Sequence, residues 1–291
     1  MRTHYSHFQF FAFLVLLAFP RHSTLTRTQE IDNEEEFDYI EGSGKGPEQW
    51  GELCEEWALC KNGTMQSPID LLYEKVEVDP SLGRLERRYR PSNATIKNRG
   101  HDIMLEWVNG GGSFYINGTE YVLRQCHWHT PSEHAIDGQR FDAEIHLVHQ
   151  SSGTQLPNVA VVGKLYKFGK PDPFLSMLEK SIKSIAEGHE KEKLVGLVDP
   201  NHIKVLKKNY YRYMGSLTTP PCTENIIWTV SKEVGTVSRK QVKLLRQAVN
   251  DNAQNNARPL LPINGRIIQF YCPKIEMMNS EEKPAGAISQ F

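Results

Sequence analysis

From Tyr121 to His129 the chain reads as an alternating strand. Tyr121, Leu123, Gln125, His127 and His129 occupy every second position, with Val122, Arg124, Cys126 and Trp128 between them. In a β-strand, successive side chains point to opposite faces, so residues at i and i+2 share one. His127 and His129 can therefore converge on a single point. A second segment, Ala143 to Gln150, puts Glu144, His146 and Val148 on one face, and a neighbouring strand carrying His146 can supply a third nitrogen. Three imidazoles on a rigid sheet, with a fourth position open, form the ligand pattern of a catalytic zinc site. Histidine alone does not select such a site, since His101, His134, His149 and His189 also lie in this part of the chain.

Strand signals dominate elsewhere. Val159 to Leu165 is a near-continuous apolar run, as expected of a strand covered on both faces. Ile103 to Val108, Ser113 to Ile116 and Ile226 to Val230 are further strands. Two helices stand out. Phe174 to Ile185 spaces Phe174, Leu178, Ile182 and Ile185 at helical intervals. Ser238 to Asn250 has Ser238 as N-cap and Val242, Leu245 and Val249 on one stripe. No linker or repeat interrupts the chain. The pattern predicts a mainly β fold in a single domain, with a large sheet and peripheral short helices.

The ends of the chain read differently. Phe8 to Phe19 is a twelve-residue run broken only by Gln9. That is short of the roughly 20 apolar residues that span a bilayer, and it predicts a signal peptide over residues 1–28. The domain then runs over 29–273, and 274–291 forms a polar tail. No later stretch is apolar enough to span a membrane. The net charge of −1 argues against nucleic acid as a partner. Secretion gives meaning to three sequons, which make Asn62, Asn93 and Asn117 predicted glycosylation sites. The five cysteines allow at most two bridges in an oxidising compartment and do not form CxxC pairs. Cys126, inside a strand, is expected to be buried and unbridged.

Several segments together resemble the alpha-class carbonic anhydrases, in particular the plant members. They are Gly46-Pro47-Glu48-Gln49-Trp50-Gly51, Gln66-Ser67-Pro68-Ile69-Asp70, Asn98-Arg99-Gly100-His101, the Gln125–His146 stretch, Glu144 to His149, Ser216 to Glu224, and Asn256-Ala257-Arg258-Pro259. They occur in family order over nearly the whole chain after the leader. The resemblance implies the alpha-carbonic anhydrase fold, with a large, mostly antiparallel, twisted central sheet. It implies reversible hydration of carbon dioxide to bicarbonate at a zinc ion held by His127, His129 and His146.

Further roles follow from the resemblance. Gln125 and Glu144 would orient His127 and His146, and the backbone carbonyl near Asn256 would serve His129. Thr218 would donate its hydroxyl proton to Glu133, and Thr219 would help hold substrate. Val148, Val161, Leu217 and Trp228 would line the apolar wall where carbon dioxide sits. His101 would be an exposed proton shuttle, its ordinary pKa near 6.5 being suited to neutral buffer. Tyr39 would join the water network of the cleft. Cys60 and Cys222 would form a bridge, and cis peptides would precede Pro68 and Pro221. Met104 departs from the family, where many animal members carry asparagine, which bears on proton transfer and not on zinc. The dioscorins, tuber storage proteins of yam, also look like this family, so the rival reading is a storage or carbohydrate-binding protein. Retention of all three ligands with Thr218, Glu133 and His101 argues for the enzyme. The implied partners are carbon dioxide and bicarbonate, for a monomer or homodimer. The implied location is the secretory pathway, ending outside the cell or in the cell wall, with the chloroplast stroma as the alternative.

Overall fold

The computed structural model describes residues 37–153, 157–188, 190–205, 208–249 and 255–273. The predicted leader and tail lie outside these residues. Ten strands form the main path of one large sheet. In chain order they are β1 (Val76–Val78), β2 (Ser92–Asn98), β3 (Ile103–Trp107), β4 (Thr119–His129), β5 (Ala143–Gln150), β6 (Val159–Phe168), β7 (Glu192–Val198), β8 (Tyr210–Ser216), β9 (Glu224–Ser231) and β10 (Ile268–Tyr271). Across the sheet they run β7-β2-β3-β4-β5-β6-β9-β8-β10-β1. Neighbours are antiparallel except β6 with β9 and β10 with β1. The sheet is therefore mixed, though antiparallel pairing prevails along this path as expected. Parallel neighbours need a long crossover, and the chain between β6 and β9 supplies one that includes a helix, β7 and β8.

The alternation of β4 holds from Gln125 to His129 but not before it: the register with β5 shifts between Leu123 and Gln125, so Tyr121 and Leu123 leave the face of the histidines and join the core of Cys126 and Trp128. Cys126 and Trp128 enter a core with Ile145 and Leu147 of β5. Helix α1 (Pro173–Glu187) closes this side with Phe174, Leu178, Ile182 and Ile185, all buried. Its N-terminus is fixed by Asp172, whose carboxylate accepts from the Leu175 amide, and by Pro173 in the first turn. Helix α2 (Arg239–Ala248) begins with a capping box in which Ser238 Oγ accepts from the Gln241 amide and Gln241 Oε1 accepts from the Ser238 amide. Gln241 also donates to the Asp172 carbonyl, which ties the two helix starts together.

His127 and His129 lie on the other face of β4. That side carries a second core, with Val161, Leu165, Tyr213 and Trp228. Val159 to Leu165 is buried throughout, as its near-continuous apolar run requires, Lys164 included. Cis peptides precede Pro68 and Pro221 as expected, and a third precedes Pro131. Cys60 and Cys222 are bridged, and Cys126 is fully buried and unbridged. Asn62, Asn93 and Asn117 are all exposed. No helix among the described residues is long and apolar enough to cross a membrane.

Candidate metal centre

Strand register brings the three histidines together. His146 of β5 pairs directly with His127 of β4, and Glu144 pairs with His129. One nitrogen from each of His127, His129 and His146 lies within 4.8 Å of the others, and all three side chains are buried. The opposite nitrogen of each ring is held. His127 Nδ1 lies 2.9 Å from Gln125 Oε1, and His129 Nδ1 lies 2.6 Å from the Asn256 carbonyl. His146 Nε2 lies 3.0 Å from Glu144 Oε1. Because these oxygens only accept, each held nitrogen carries the proton, and His127 and His129 present Nε2 while His146 presents Nδ1. His129 Nε2 is buried and has no hydrogen-bond partner.

Glu144 does more than orient one ring. Its Oε2 accepts from the amides of Glu133 and His134 at 2.9 Å each. Its Oε1 also meets His134 Nδ1 at 2.8 Å. Burial alone would raise the carboxyl's pKa, but the His134 and His146 imidazoles outweigh it and hold the group well below its usual range. With His134 Nδ1–H donating to Glu144, its Nε2 is the acceptor for the Tyr213 hydroxyl at 2.6 Å. Tyr213 in turn meets Ser67 Oγ at 2.9 Å, and Ser67 Oγ accepts from the Ser216 amide. A buried chain of hydrogen bonds thus runs from Glu144 to Ser216 at the end of β8.

The space for Glu144 is made by a glycine. A Cβ on Gly163 would lie 2.8 Å from Glu144 Oε1. His134, Tyr213 and Gly163 were not singled out for this centre by sequence reasoning. His134 was one of several unassigned histidines, and no local pattern links it to residues so far along the chain.

The family assignment rests on the whole chain. The sequence model of the eukaryotic-type carbonic anhydrases matches residues 45–272. The chain belongs to the carbonic anhydrase family. It is 55% identical over 244 residues to alpha carbonic anhydrase 7 of Arabidopsis thaliana, covering 84% of this chain and 88% of that protein. The crystal structure of dioscorin complexed with ascorbate is 49% identical, with a TM-score of 0.79, covering 81% of this chain and 98% of that one. The alpha-carbonic anhydrase of Thermovibrio ammonificans, solved with the inhibitor sulfanilamide, is 34% identical with a TM-score of 0.71, covering 80% of this chain and 98% of that one.

In this carbonic anhydrase the apolar residues assigned to the wall line up across three strands. Val148 pairs with Val161, and Val161 pairs with Trp228. The Trp228 ring centre lies 4.7 Å from that of His146, which puts the row beside the metal ligands. Leu217 and Thr219 are buried in the loop after β8, and Thr219 Oγ1 has no hydrogen-bond partner. Arg258 braces this region. Its guanidinium donates to Gln66 Oε1 and to the Ser67 and Cys60 carbonyls, and burial lowers its pKa to about 10.

One expected contact is not formed here, and one expectation is corrected. Glu133 Oε1 accepts from the Arg258 amide at 2.9 Å, but its Oε2 makes no hydrogen bond, so the bond from Thr218 is not formed here. Oε2 instead lies 3.6 Å from His129 Nε2 and 3.9 Å from His146 Nδ1, the two ring nitrogens left without the proton. His101 is not an exposed loop residue. It is 1% exposed, with its ring centre 5.0 Å from that of Phe37 and its Nε2 3.9 Å from Asp102 Oδ2. An aromatic segment far upstream in the sequence covers it, which the local motif could not show.

Proposed function

We propose that the protein is a zinc enzyme that interconverts carbon dioxide and water with bicarbonate and a proton. The convergence of three ring nitrogens, each backed by a fixed oxygen on the other side of its ring, carries this reading. His127 and His129 would hold the ion through Nε2, and His146 through Nδ1. The donor set fits zinc: His129 Nε2 is buried without any hydrogen-bond partner, and three neutral imidazoles leave the charge of the ion uncompensated. When bound, zinc supplies Lewis acidity that ionises water near neutral pH, for which carbonic anhydrase is the standard example.

The chain's own residues do the rest. Gln125, Glu144 and the Asn256 carbonyl hold the three rings in one tautomer and orientation. Val148, Val161, Leu217 and Trp228 seat an apolar substrate and exclude bulk water. Thr219 Oγ1 has a free hydrogen-bonding capacity suited to bicarbonate. Glu133 Oε1 is engaged by the Arg258 amide, so Oε2 is the atom left to receive the Thr218 hydroxyl proton in the working enzyme. His101 takes the exported proton on an imidazole nitrogen beside Asp102. We place this machinery in one domain over 29–273 of a secreted glycoprotein carrying sugar at Asn62, Asn93 and Asn117, delivered to the cell wall or, alternatively, to the chloroplast stroma.

A dioscorin-like storage or carbohydrate-binding role is the second reading, favoured by the 49% identity to the dioscorin structure. Metal analysis of the purified protein, followed by stopped-flow carbon dioxide hydration, separates the two. The enzyme reading requires stoichiometric zinc and a rate well above a zinc-stripped control. Equal rates with and without zinc would mean that the fold serves another purpose.

A further inference from the structure

On the other face of the sheet from the histidines lies a second buried polar centre that this reaction does not use. Arg212 of β8 pairs with Thr229 of β9. Its neighbours Tyr211 and Tyr213 pack in the core on the histidine side, while Tyr210 and Met214 pack with the helix-covered core. By alternation Arg212 shares the latter face. The side chain is only 6% exposed. Its Nε donates to Thr229 Oγ1 at 3.0 Å, and its guanidinium carbon lies 5.3 Å from the centre of the Tyr210 ring. Nη2 is buried and has no hydrogen-bond partner among the described residues. The ionisable groups that bear on it are the phenols of Tyr210 and Tyr121, and burial lowers its pKa. A buried cation without a carboxylate is costly, and a guanidinium donor left unpaired adds to that cost.

Arg212 borders a cavity of about 700 Å³. A neighbouring cavity of about 210 Å³ shares Arg212, Leu82, Ile116 and Asn117 with it. The larger volume falls in the range of small-molecule sites. Its apolar lining comes from Leu82, Ile116, Met214, Ile227 and Ile267. The other charges around the two cavities are engaged or at the rim. Asp79 accepts from the Ser81 amide and hydroxyl through Oδ1 and from Gln269 Nε2 through Oδ2. Glu86 accepts from Arg88. Arg266 donates to the carbonyls of Ile263, Met214 and Pro262. Glu77 and Arg84 are exposed. Among the charged groups of the lining, Arg212 is the buried one with donor capacity unused.

We propose that this cavity binds an apolar monocarboxylate, whose carboxylate sits on the Arg212 guanidinium and whose apolar body fills the space between Leu82, Ile116 and Ile227. A planar carboxylate matches the planar guanidinium fork and makes charge-assisted bonds to it. Arg212 is the lining cation with a donor unused and calls for a single negative charge, whereas a phosphate dianion would bring a surplus charge into a lining that already holds Glu77 and Asp79.

The test uses 4-fluorobenzoate as probe and ¹⁹F NMR titration of the full chain. A metal centre can itself take a carboxylate, so His129→Ala is titrated beside the unaltered protein, which keeps this proposal independent of the zinc reading. Saturable binding of equal strength in both, weakened at least tenfold in Arg212→Met and partly retained in Arg212→Lys, is the expected result. Met214→Trp, which fills the cavity without removing the cation, should weaken binding too and serves if Arg212→Met fails to fold. Undiminished binding in Arg212→Met and Met214→Trp, loss of binding in His129→Ala alone, or no saturation by about 1 mM in the unaltered protein overturns the proposal.

Discussion

Two buried polar centres sit on opposite faces of one sheet, and they follow opposite rules. Around the histidines the groups that support the rings are committed, and His129 Nε2, Glu133 Oε2 and Thr219 Oγ1, left without a hydrogen-bond partner, are those assigned to metal, proton and substrate. Glu144 alone receives Glu133 N, His134 N and His134 Nδ1, and its Oε1 lies 3.0 Å from His146 Nε2. Each ring is fixed on one side so that its other nitrogen has a single direction left. Around Arg212 one cation borders open space, with Thr229 as its hydrogen-bond partner and a donor unused. A saturated network positions atoms for chemistry and resists change. An unsaturated one retains free energy that a ligand can recover. The same strand pair, β8 and β9, contributes to both, through Tyr213 and Trp228 on one side and Arg212 and Thr229 on the other.

The sharpest way to break this contrast is to cut the saturated side. His129→Ala should lose stoichiometric zinc and all hydration above the zinc-stripped control, with far-UV circular dichroism unchanged. A variant that keeps both zinc and activity removes His129 from the site.

Next in size is the buried pair that flanks the centre. Arg99 donates to Asp102 through Nε and Nη2, both side chains being almost fully buried. Asp102→Asn strands the guanidinium and should cost about 3–5 kcal/mol in urea unfolding. The pair also carries a pH signature. Burial would raise the Asp102 carboxyl, but Arg99 outweighs it and holds the group far below its ordinary value. A depressed folded pKa gives stability that is fully present above the unfolded pKa of about 3.9 and is lost as pH falls below it. Asp102→Asn should therefore flatten the acid limb of the stability curve, and an unchanged limb would remove the pair from the acid response.

Glu144→Gln tests the ring support itself. An amide offers one acceptor atom where three donors and the His146 ring converge, so zinc affinity or hydration should fall about 10- to 100-fold. Competition with a metal chelator measures the first and stopped flow the second. Gly163→Ala should move in the same direction by less, because its new Cβ lies against Glu144 Oε1.

The smallest effect belongs to the unsaturated side. Arg212→Met should shift unfolding by no more than about 1 kcal/mol, in the stabilising direction, since an apolar replacement for an unpaired buried charge is often neutral or favourable. Hydration should stay within about twofold, a shift of roughly 0.4 kcal/mol. A large loss of stability would mean that Arg212 belongs to a saturated network after all.

Much of the metal centre was legible from local order. Period two placed His127 and His129 together and put Gln125 on the face of His127, and Ala143 to Gln150 put Glu144 on the face of His146. Helix periodicity and Ser238 gave α2 within a residue at its start. These features depend on neighbours a few positions apart, where backbone geometry alone decides which side chains share a face. The centre's outer partners were not legible in that way. Asn256 reaches His129 across 127 positions, and Tyr213 reaches His134 across 79. Such contacts are set by strand order and by the loops that return to the sheet.

The sequence by itself determined the three imidazoles, the alternation that lets them converge and, through motifs in order, the family. Only the tertiary structure decided which nitrogen of each ring is presented, that Glu144 takes three donors beside the His146 ring, and that Phe37 packs over His101. It also decided that Arg212 lies buried beside a cavity without a counter-charge. The physical reason is one of range: side-chain direction along a strand is a local property, whereas the partners of a buried charge are chosen by which distant segments the sheet brings to its two faces.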